Sequence, residues 1–105
     1  MTATELLLKL GFTPNLKGFW FLADAIALYA DDYGCKLTAI YYAVATRHNS
    51  AYIRIEKDMR HAISRTLDKR GCDDFIRFLG VAPSLDGGYT LGEFIALCAC
   101  AVKAL

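Results

Sequence analysis

Residues 40–71 read IYYAVATRHNSAYIRIEKDMRHAISRTLDKRG, and this stretch decides the fold that we predict for the chain. Apolar residues recur at helical spacing on both sides of a polar turn, Asn49-Ser50-Ala51, in which Asn49 or Ser50 can cap the following helix. The pattern predicts a helix over residues 37–47, a turn, and a longer helix over residues 51–69 that ends at Gly71. This arrangement is typical of a helix-turn-helix, whose second helix fits the major groove of DNA.

The predicted long helix has one apolar face and one polar face. At 100° per residue from Arg54, the arc between about 80° and 180° holds the residues that we expect to be buried: Ile55, Met59, Ala62, Ile63 and Thr66. The arc between about 240° and 340° holds Lys57, Arg60, His61 and Ser64. Arg54 and Glu56 flank this polar face near the start of the helix.

Positive charge is concentrated in the same third of the chain. Residues 36–70 contain eight basic and three acidic side chains, a balance of +5. Residues 1–35 and residues 71–105 each contain two basic and four acidic side chains, a balance of −2, so the whole chain carries only +1. A concentrated basic stripe is the pattern expected for phosphate contacts, although a solvated helix face has the same charge pattern.

Length and composition limit the classes of protein that the chain can belong to. A chain of 105 residues with 55% hydrophobic residues predicts a single domain, residues 1–105, with one core. No apolar run approaches the roughly 20 residues needed to cross a bilayer, and the N-terminus lacks the pattern of a signal peptide. We therefore expect a cytoplasmic protein without a membrane partner and without a cofactor.

The cysteines do not indicate a metal site or a disulfide. The chain has four cysteines in no C-x-x-C pair and only two histidines, so no metal ligand set is predicted. Cys98 and Cys100 lie within the apolar segment FIALCACAV, where cysteine behaves as a small core residue. The cysteines, which we expect to be buried and reduced, are Cys35, Cys72, Cys98 and Cys100.

Turn signals divide the rest of the chain into further helices, and no segment alternates as a strand would. The predicted helices cover residues 4–10, 16–32, 73–79 and 90–104, and a loop covers residues 81–89. Gly11 ends the first helix, and the capping-box pattern Thr90-x-x-Glu93 opens the last. The predicted fold class is therefore all-α, a six-helix domain with a helix-turn-helix at about residues 37–70.

The residue types on the polar face match the chemistry of DNA recognition. Arginine can pair with guanine O6 and N7, and a carboxylate can accept a hydrogen bond from cytosine N4. Arg54 and Glu56, in the first turns of the long helix, are therefore candidates for base contacts, and Lys57 can serve bases or phosphates. The candidates for contacts with the DNA backbone are Arg60, His61, Ser50 and Ser64.

A second interpretation of the same charges remains open. The pairs Arg54/Asp58 and Glu56/Arg60 have the i,i+4 spacing of ordinary surface ion pairs, which contribute only about 0.2–0.5 kcal/mol each. On the residues alone, the DNA-reading face and the solvated helix face have about equal weight.

The chain resembles, over nearly its whole length, the C-terminal effector domain of the stage zero sporulation protein A family. Residues 10–19, LGFTPNLKGF, resemble the family's LG-x-P-x-x-x-KGY segment with an offset of one residue at the proline. Residues 54–57, RIEK, and 59–63, MRHAI, resemble its recognition helix R-V-E-R-x-I-R-H-A-I. Residues 40–49 resemble the first helix of its DNA-binding motif, and residues 93–96, EFIA, its S-E-F-I-A segment.

The resemblance implies a six-helix domain that binds a TGTCGAA-like box in double-stranded DNA, usually as tandem dimers, and contacts RNA polymerase sigma factors. It implies base contacts for Arg54, Glu56 and Lys57, and backbone contacts for Arg60 and His61. The family's phosphoacceptor receiver domain is not part of this sequence. We therefore expect either an excised effector domain or a stand-alone homologue, acting as an activator or as a repressor.

The sequence departs from the family pattern at three positions near the proposed reading face. Tyr42 stands where the family usually has proline, and Ile53 replaces a small polar residue directly before Arg54. Asp58 replaces a small apolar residue and adds negative charge. Each change can alter site preference or weaken DNA binding, because a carboxylate near phosphates is repulsive.

Two other classes of function compete with a DNA-binding regulator. A protein-interaction module of the same fold, with weakened or lost DNA binding, is favoured by Ile53, Asp58 and the small net charge. An enzyme is disfavoured because the chain has no glycine-rich phosphate loop and no serine in a nucleophile-elbow context. We therefore assign no catalytic residue.

Overall fold

Six helices form the architecture of residues 1–85 and 88–104, the part of the chain that this computed structural model describes. They are α1 (Ala3–Leu10), α2 (Lys17–Asp31), α3 (Leu37–Arg47), α4 (Tyr52–Arg70), α5 (Asp73–Leu79) and α6 (Leu91–Lys103). Every helix end lies within one residue of its predicted position, and the described residues contain no strand beyond an isolated bridge between Ser84 and Gly88. The all-α fold class is confirmed. Asp86 and Gly87, within the predicted loop 81–89, lie outside the described residues.

Helix α2 lies at the centre of the fold. It packs most extensively against α6 and α4, and it also contacts α1 and α3. Its fully buried side chains include Phe19, Leu22 and Ile26. A second part of the core, beneath α5 and the start of α6, is an aromatic cluster with ring centroids 5.7–6.0 Å apart, formed by Phe12, Phe75, Tyr89 and Phe94. The helix-turn-helix therefore rests on a core to which every helix contributes.

The apolar face predicted for α4 is confirmed. Its buried residues are Ile55, Met59, Ala62, Ile63 and Thr66. These are the residues expected from a spacing of 100° per residue, because the apolar arc of a helix must turn toward the core. The orientation of α4 follows, and its polar arc faces solvent.

The helix caps agree with the sequence prediction only in part. Gly11 ends α1 with φ 99°, and the Thr90 hydroxyl accepts a hydrogen bond from the Glu93 N–H at 3.1 Å, as predicted. A full capping box between Thr2 and Glu5 opens α1, one residue before the predicted start. The signal for it, Thr-x-x-Glu, was present in the sequence.

The prediction that Asn49 or Ser50 caps the long helix is wrong. The N-cap of α4 is Ala51, which has no side chain able to accept a hydrogen bond. Asn49 adopts a positive φ of 49°, and the Ser50 N–H donates to the Ala45 carbonyl at 2.9 Å. Both residues therefore belong to the C-terminal end of α3, and both precede Ala51, the N-cap position of α4.

Gly18 allows α2 and α4 to approach each other at backbone distance. A Cβ at this position would lie 2.3 Å from the Asp58 carbonyl oxygen and 2.9 Å from the Ala62 Cβ. No side chain fits there unless one helix moves. The contact therefore sets the spacing of the two helices and brings the first residue of α2, Lys17, alongside α4.

The burial predicted for all four cysteines is correct for Cys98, wrong for Cys100, and only partly met by Cys35 and Cys72. All four cysteines are free thiols; Cys98 is buried, Cys100 is exposed, and Cys35 and Cys72 are partly exposed. Residues two apart on a helix lie about 200° apart, so Cys98 and Cys100 cannot both face the core. Burial raises the pKa of the Cys98 thiol well above its usual value.

We predict that Gly18→Ala destabilises the domain by about 1–3 kcal/mol, because the added methyl group forces the α2 and α4 backbones apart. The free energy of unfolding in urea measures the effect. The matched control is Gly92→Ala, because both glycines are the second residue of a helix. A Cβ at Gly92 meets only the tip of the Leu37 side chain, at 2.5 Å. Equal losses in the two variants would contradict the importance of the Gly18 contact.

We predict that iodoacetamide at pH 8 labels Cys100 rapidly and leaves Cys98 unlabelled until the domain unfolds. The thiolate is the reactive form, and Cys98 is both inaccessible and held in its protonated form by its raised pKa. Mass spectrometry of peptides from native and urea-unfolded protein measures the labelling. Similar labelling rates for the two thiols in the native protein would show that α6 does not bury the face that carries Cys98.

Candidate nucleic-acid interface

The exposed arc of α4 carries most of the side chains that the sequence assigned to DNA. Glu56 is partly exposed. The exposed members are Arg54, Lys57, Arg60, His61 and Ser64. Ser50 lies apart from them, half-buried in the turn between α3 and α4. The assigned residues therefore share one surface of a single helix, except for Ser50.

An ion pair joins two of the assigned residues. The Arg60 Nη2 atom donates to the Glu56 Oε1 atom at 2.6 Å, and the two side chains are 61% and 29% exposed. The other pair of the competing interpretation, Arg54/Asp58, does not form within 4.0 Å among the described residues. The arrangement keeps the Glu56 carboxylate on the exposed arc with a fixed cationic neighbour, while Arg54 extends without a carboxylate partner within that distance.

A basic cleft runs along one side of the exposed arc, between α4 and the start of α2. It has a volume of about 500 Å³, and its charged and titratable lining residues are Lys17, Lys57, Asp58, His61 and Arg65. Asp58 is half-buried and shares this cleft with three cationic side chains, but it forms no ion pair within 4.0 Å among the described residues. The cleft continues past Arg65 into a second cavity of about 460 Å³ lined also by Lys69 and Arg70.

Lys17 and Arg65 were not among the residues that the sequence assigned to the site. Arg65 was counted in the basic excess, but at about 20° from Arg54 it lay outside the polar arc as defined. Lys17 belongs to the acidic first third of the chain, and only the close approach of α2 at Gly18 brings it to α4. In the sequence, the position of Lys17 directly before Gly18 was the one feature that could have indicated its proximity to α4.

The N-terminus of α2 adds to the positive potential of the basic cleft. The N-cap residue Leu16 makes no side-chain hydrogen bond, and the first turn of α2 contains no acidic residue. No acidic side chain in the first turn of α2 therefore neutralises the positive end of its dipole, and Lys17 adds a full charge beside it.

The opposite side of the exposed arc has a smaller cavity of about 190 Å³. Arg60 and Ser64 line it together with Tyr89, which precedes α6, and Leu91, the first residue of α6. The polar face of α4 is thus divided into two flanks: Lys57, His61 and the basic cleft on one side, Arg60 and Ser64 on the other.

Aromatic contacts hold the start of α4 against α3. The Tyr52 ring packs on Tyr41 and Tyr42, with centroids 5.8 Å and 4.5 Å apart. Burial, together with the nearby Glu56 carboxylate, raises the pKa of Tyr41 to about 12, so its hydroxyl stays neutral. Tyr42, one of the departures from the family pattern, is 63% exposed and lines the surface of the turn beside Ser50.

Asp24 of α2 ties down the end of α3 and therefore the turn. Its Oδ2 atom lies 2.5 Å from the His48 Nε2 atom, and its Oδ1 atom lies 3.4 Å from the Arg47 Nη1 atom. The His48 ring also packs edge-on against Phe21, with centroids 4.8 Å apart. These contacts connect α2 to the last turn of α3 and so orient the helix that follows.

Residues 1–85 and 88–104 contain neither a cluster of metal ligands nor a helix that could cross a membrane. No three or more His, Cys, Asp or Glu side chains gather there as a metal-binding group. None of the helices in that part of the chain is both long and apolar enough to span a bilayer.

We predict that Asp24→Ala lowers the free energy of unfolding by about 1.5–3 kcal/mol, because it removes charge-assisted contacts to His48 and Arg47. Chemical denaturation measures the change. The control is Asp31→Ala, at the exposed C-terminal end of the same helix. It should be neutral or slightly stabilising, since it removes a negative charge near the negative end of the helix dipole. A loss as large for Asp31→Ala as for Asp24→Ala would refute the role of Asp24.

Comparison with known protein families gives one match that covers nearly the whole chain. The model of the family described as sporulation initiation factor Spo0A C terminal matches residues 3–102 of the 105. The matched range contains α1 to α5 and all but the last residue of α6. It includes the helix-turn-helix and the basic cleft.

Proposed function

We propose that this chain, which belongs to the sporulation initiation factor Spo0A C-terminal family, binds a specific DNA site by placing α4 in the major groove. The family consists of DNA-binding effector domains of a sporulation response regulator, and membership gives this chain the same class. The groove, the residues that contact the bases and the preferred site are our proposal.

One observation carries the proposal: the exposed arc of α4 gathers cations from two helices above a fully buried apolar face. Arg54, Lys57, Arg60 and Arg65 project from α4, and Lys17 joins them from α2. Such a surface attracts a polyanion, because each neutralised phosphate releases condensed counterions. The alternative of a solvated helix face gives no role to the approach of Lys17, from α2, to the cleft that Lys57 and Arg65 of α4 line.

The base contacts are assigned to the first half of α4. A major groove about 12 Å wide admits a helix, and the N-terminal turns of the recognition helix reach the base edges. Arg54 is suited to guanine and Glu56 to cytosine N4. The Arg60 pair restrains the Glu56 carboxylate before DNA arrives, which reduces the conformational entropy lost on binding. Lys57 serves a base or a phosphate.

The backbone contacts are assigned to the two flanks of the same helix. Arg60 and Ser64 approach one strand, whereas His61 and the basic cleft approach the other. Ser50 contacts the backbone from the turn. In this arrangement phosphate contacts on both sides fix the helix in the groove, and the base contacts then determine the sequence that is bound.

The site and partners follow from the family likeness. We propose a TGTCGAA-like box, occupied by two copies of the domain on tandem sites, and a sigma factor of RNA polymerase as protein partner. Exposed apolar side chains away from the basic cleft offer surface for such protein contacts, among them Leu8, Trp20, Ile76 and Val81. A protein-interaction module without DNA binding is the competing function, and the same surfaces would serve it.

We predict that the affinity for a TGTCGAA duplex falls steeply with salt and that two substitutions weaken it in different ways. Arg54→Ala should cost about 1–3 kcal/mol on the specific site and reduce discrimination at one base pair. Arg65→Ala, which removes a cation of the basic cleft outside the Glu56–Arg60 pair, should weaken binding to specific and scrambled duplexes alike and reduce the salt slope by about 0.9. Fluorescence anisotropy titrations from 50 to 200 mM salt, on the order of the range where such effects are large, measure both.

Arg77→Ala is the matched control, since Arg77 is an exposed cation of α5 that lies over the Phe78 ring. It should change neither specificity nor the salt slope. If the wild-type domain binds no duplex even at low salt, the DNA-binding proposal is wrong and the interaction module replaces it.

A further inference from the structure

Ile53 is an exposed apolar side chain in the middle of an otherwise charged surface. It is 77% exposed, and it lies in the first turn of α4, one residue before Arg54. At 100° per residue its direction is about 260°, between those of Arg60 and Ser64. It therefore belongs to the centre of the exposed arc and not to the buried face.

The surroundings of Ile53 indicate what kind of molecule covers it. It lines a cleft together with Lys17, Arg54, Lys57 and Asp58, in which three of the four neighbours are cations. Cations draw a polyanion to this place, whereas Ile53 itself gains only from contact with apolar surface. A partner that suits both the cations and Ile53 is a polyanion with an apolar group that can contact the first turn of α4.

DNA offers one such group in the major groove, the C5-methyl of thymine. A second copy of this chain or another protein would bring apolar surface, but it would have to neutralise Lys17, Arg54 and Lys57 with carboxylates as well. The position of Ile53 beside Arg54 places it within reach of the base that neighbours the one assigned to Arg54. DNA is therefore the occupant that the charge pattern favours.

We propose that Ile53 is a specificity-determining residue that packs against the methyl group of a thymine in the bound site. The proposal rests on the proposed function, because it requires α4 to lie in the major groove. The apolar residue at this position thus adds a contact to thymine instead of merely weakening DNA binding.

Deoxyuridine tests the contact, because it pairs as thymine does and lacks only the C5-methyl group. Each thymine of a TGTCGAA duplex, on either strand, is replaced in turn by deoxyuridine, and the affinity is measured by anisotropy. The wild-type domain should lose about fourfold in affinity at one thymine, the value of one buried methyl group. At that position Ile53→Ser should bind the thymine and deoxyuridine duplexes equally, and Ile53→Val should keep part of the difference.

The matched control is Leu8→Ser, since Leu8 is an exposed apolar residue of α1, 49% exposed, that does not line the cleft. It should keep the full thymine preference. Circular dichroism checks that all variants keep their helix content, which the exposure of both side chains leads us to expect.

The possible results separate the two proposals. Failure of the wild-type domain to bind any duplex overturns the proposed function and this inference together. Binding without a loss at any deoxyuridine, or an equal loss in wild type and Ile53→Ser, overturns the role of Ile53 and leaves DNA binding intact. A loss that disappears only in Ile53→Ser supports the contact.

Discussion

The rest of the structure depends on the burial of α4 against α2. The apolar face of α4 packs most extensively against α2, and Gly18 lets the two backbones meet at a distance that no side chain permits. This contact determines which arc of α4 faces solvent, and it also brings the N-terminus of α2 to the edge of that arc. The basic cleft is a consequence of helix packing, because its two walls come from segments far apart in sequence.

The exposed arc of α4 carries acidic as well as basic side chains, and some of these charges are paired. Arg60 holds Glu56 in an ion pair, Asp58 shares the basic cleft with three cations, and no carboxylate of the described residues lies within ion-pair distance of Arg54. An exposed pair of this kind adds little stability, so its main effect is to restrict where the carboxylate can point. The start of α4 thus combines a restrained acceptor with a cation available for a ligand, which is what discrimination between base pairs requires.

The three departures from the family pattern have different structural meanings. Tyr42 packs on Tyr52 and so contributes to the joint between α3 and α4. Asp58 shares the basic cleft with Lys17, Lys57 and Arg65, whose positive charges reduce the repulsion that its carboxylate exerts on a phosphate. Ile53 is 77% exposed and is the most exposed of the three side chains.

The sequence by itself determined the helices, the apolar face of α4 and the surface on which the cationic side chains lie, because helical periodicity and capping are local properties. Only the tertiary structure decided that Lys17 lies beside α4 and that, of two cysteines on different sides of α6, Cys98 faces the core and Cys100 faces solvent. These depend on how helices distant in the chain pack together and on the register of each helix against the core. No local pattern contains that information, since it arises from contacts such as that of Gly18 with Asp58.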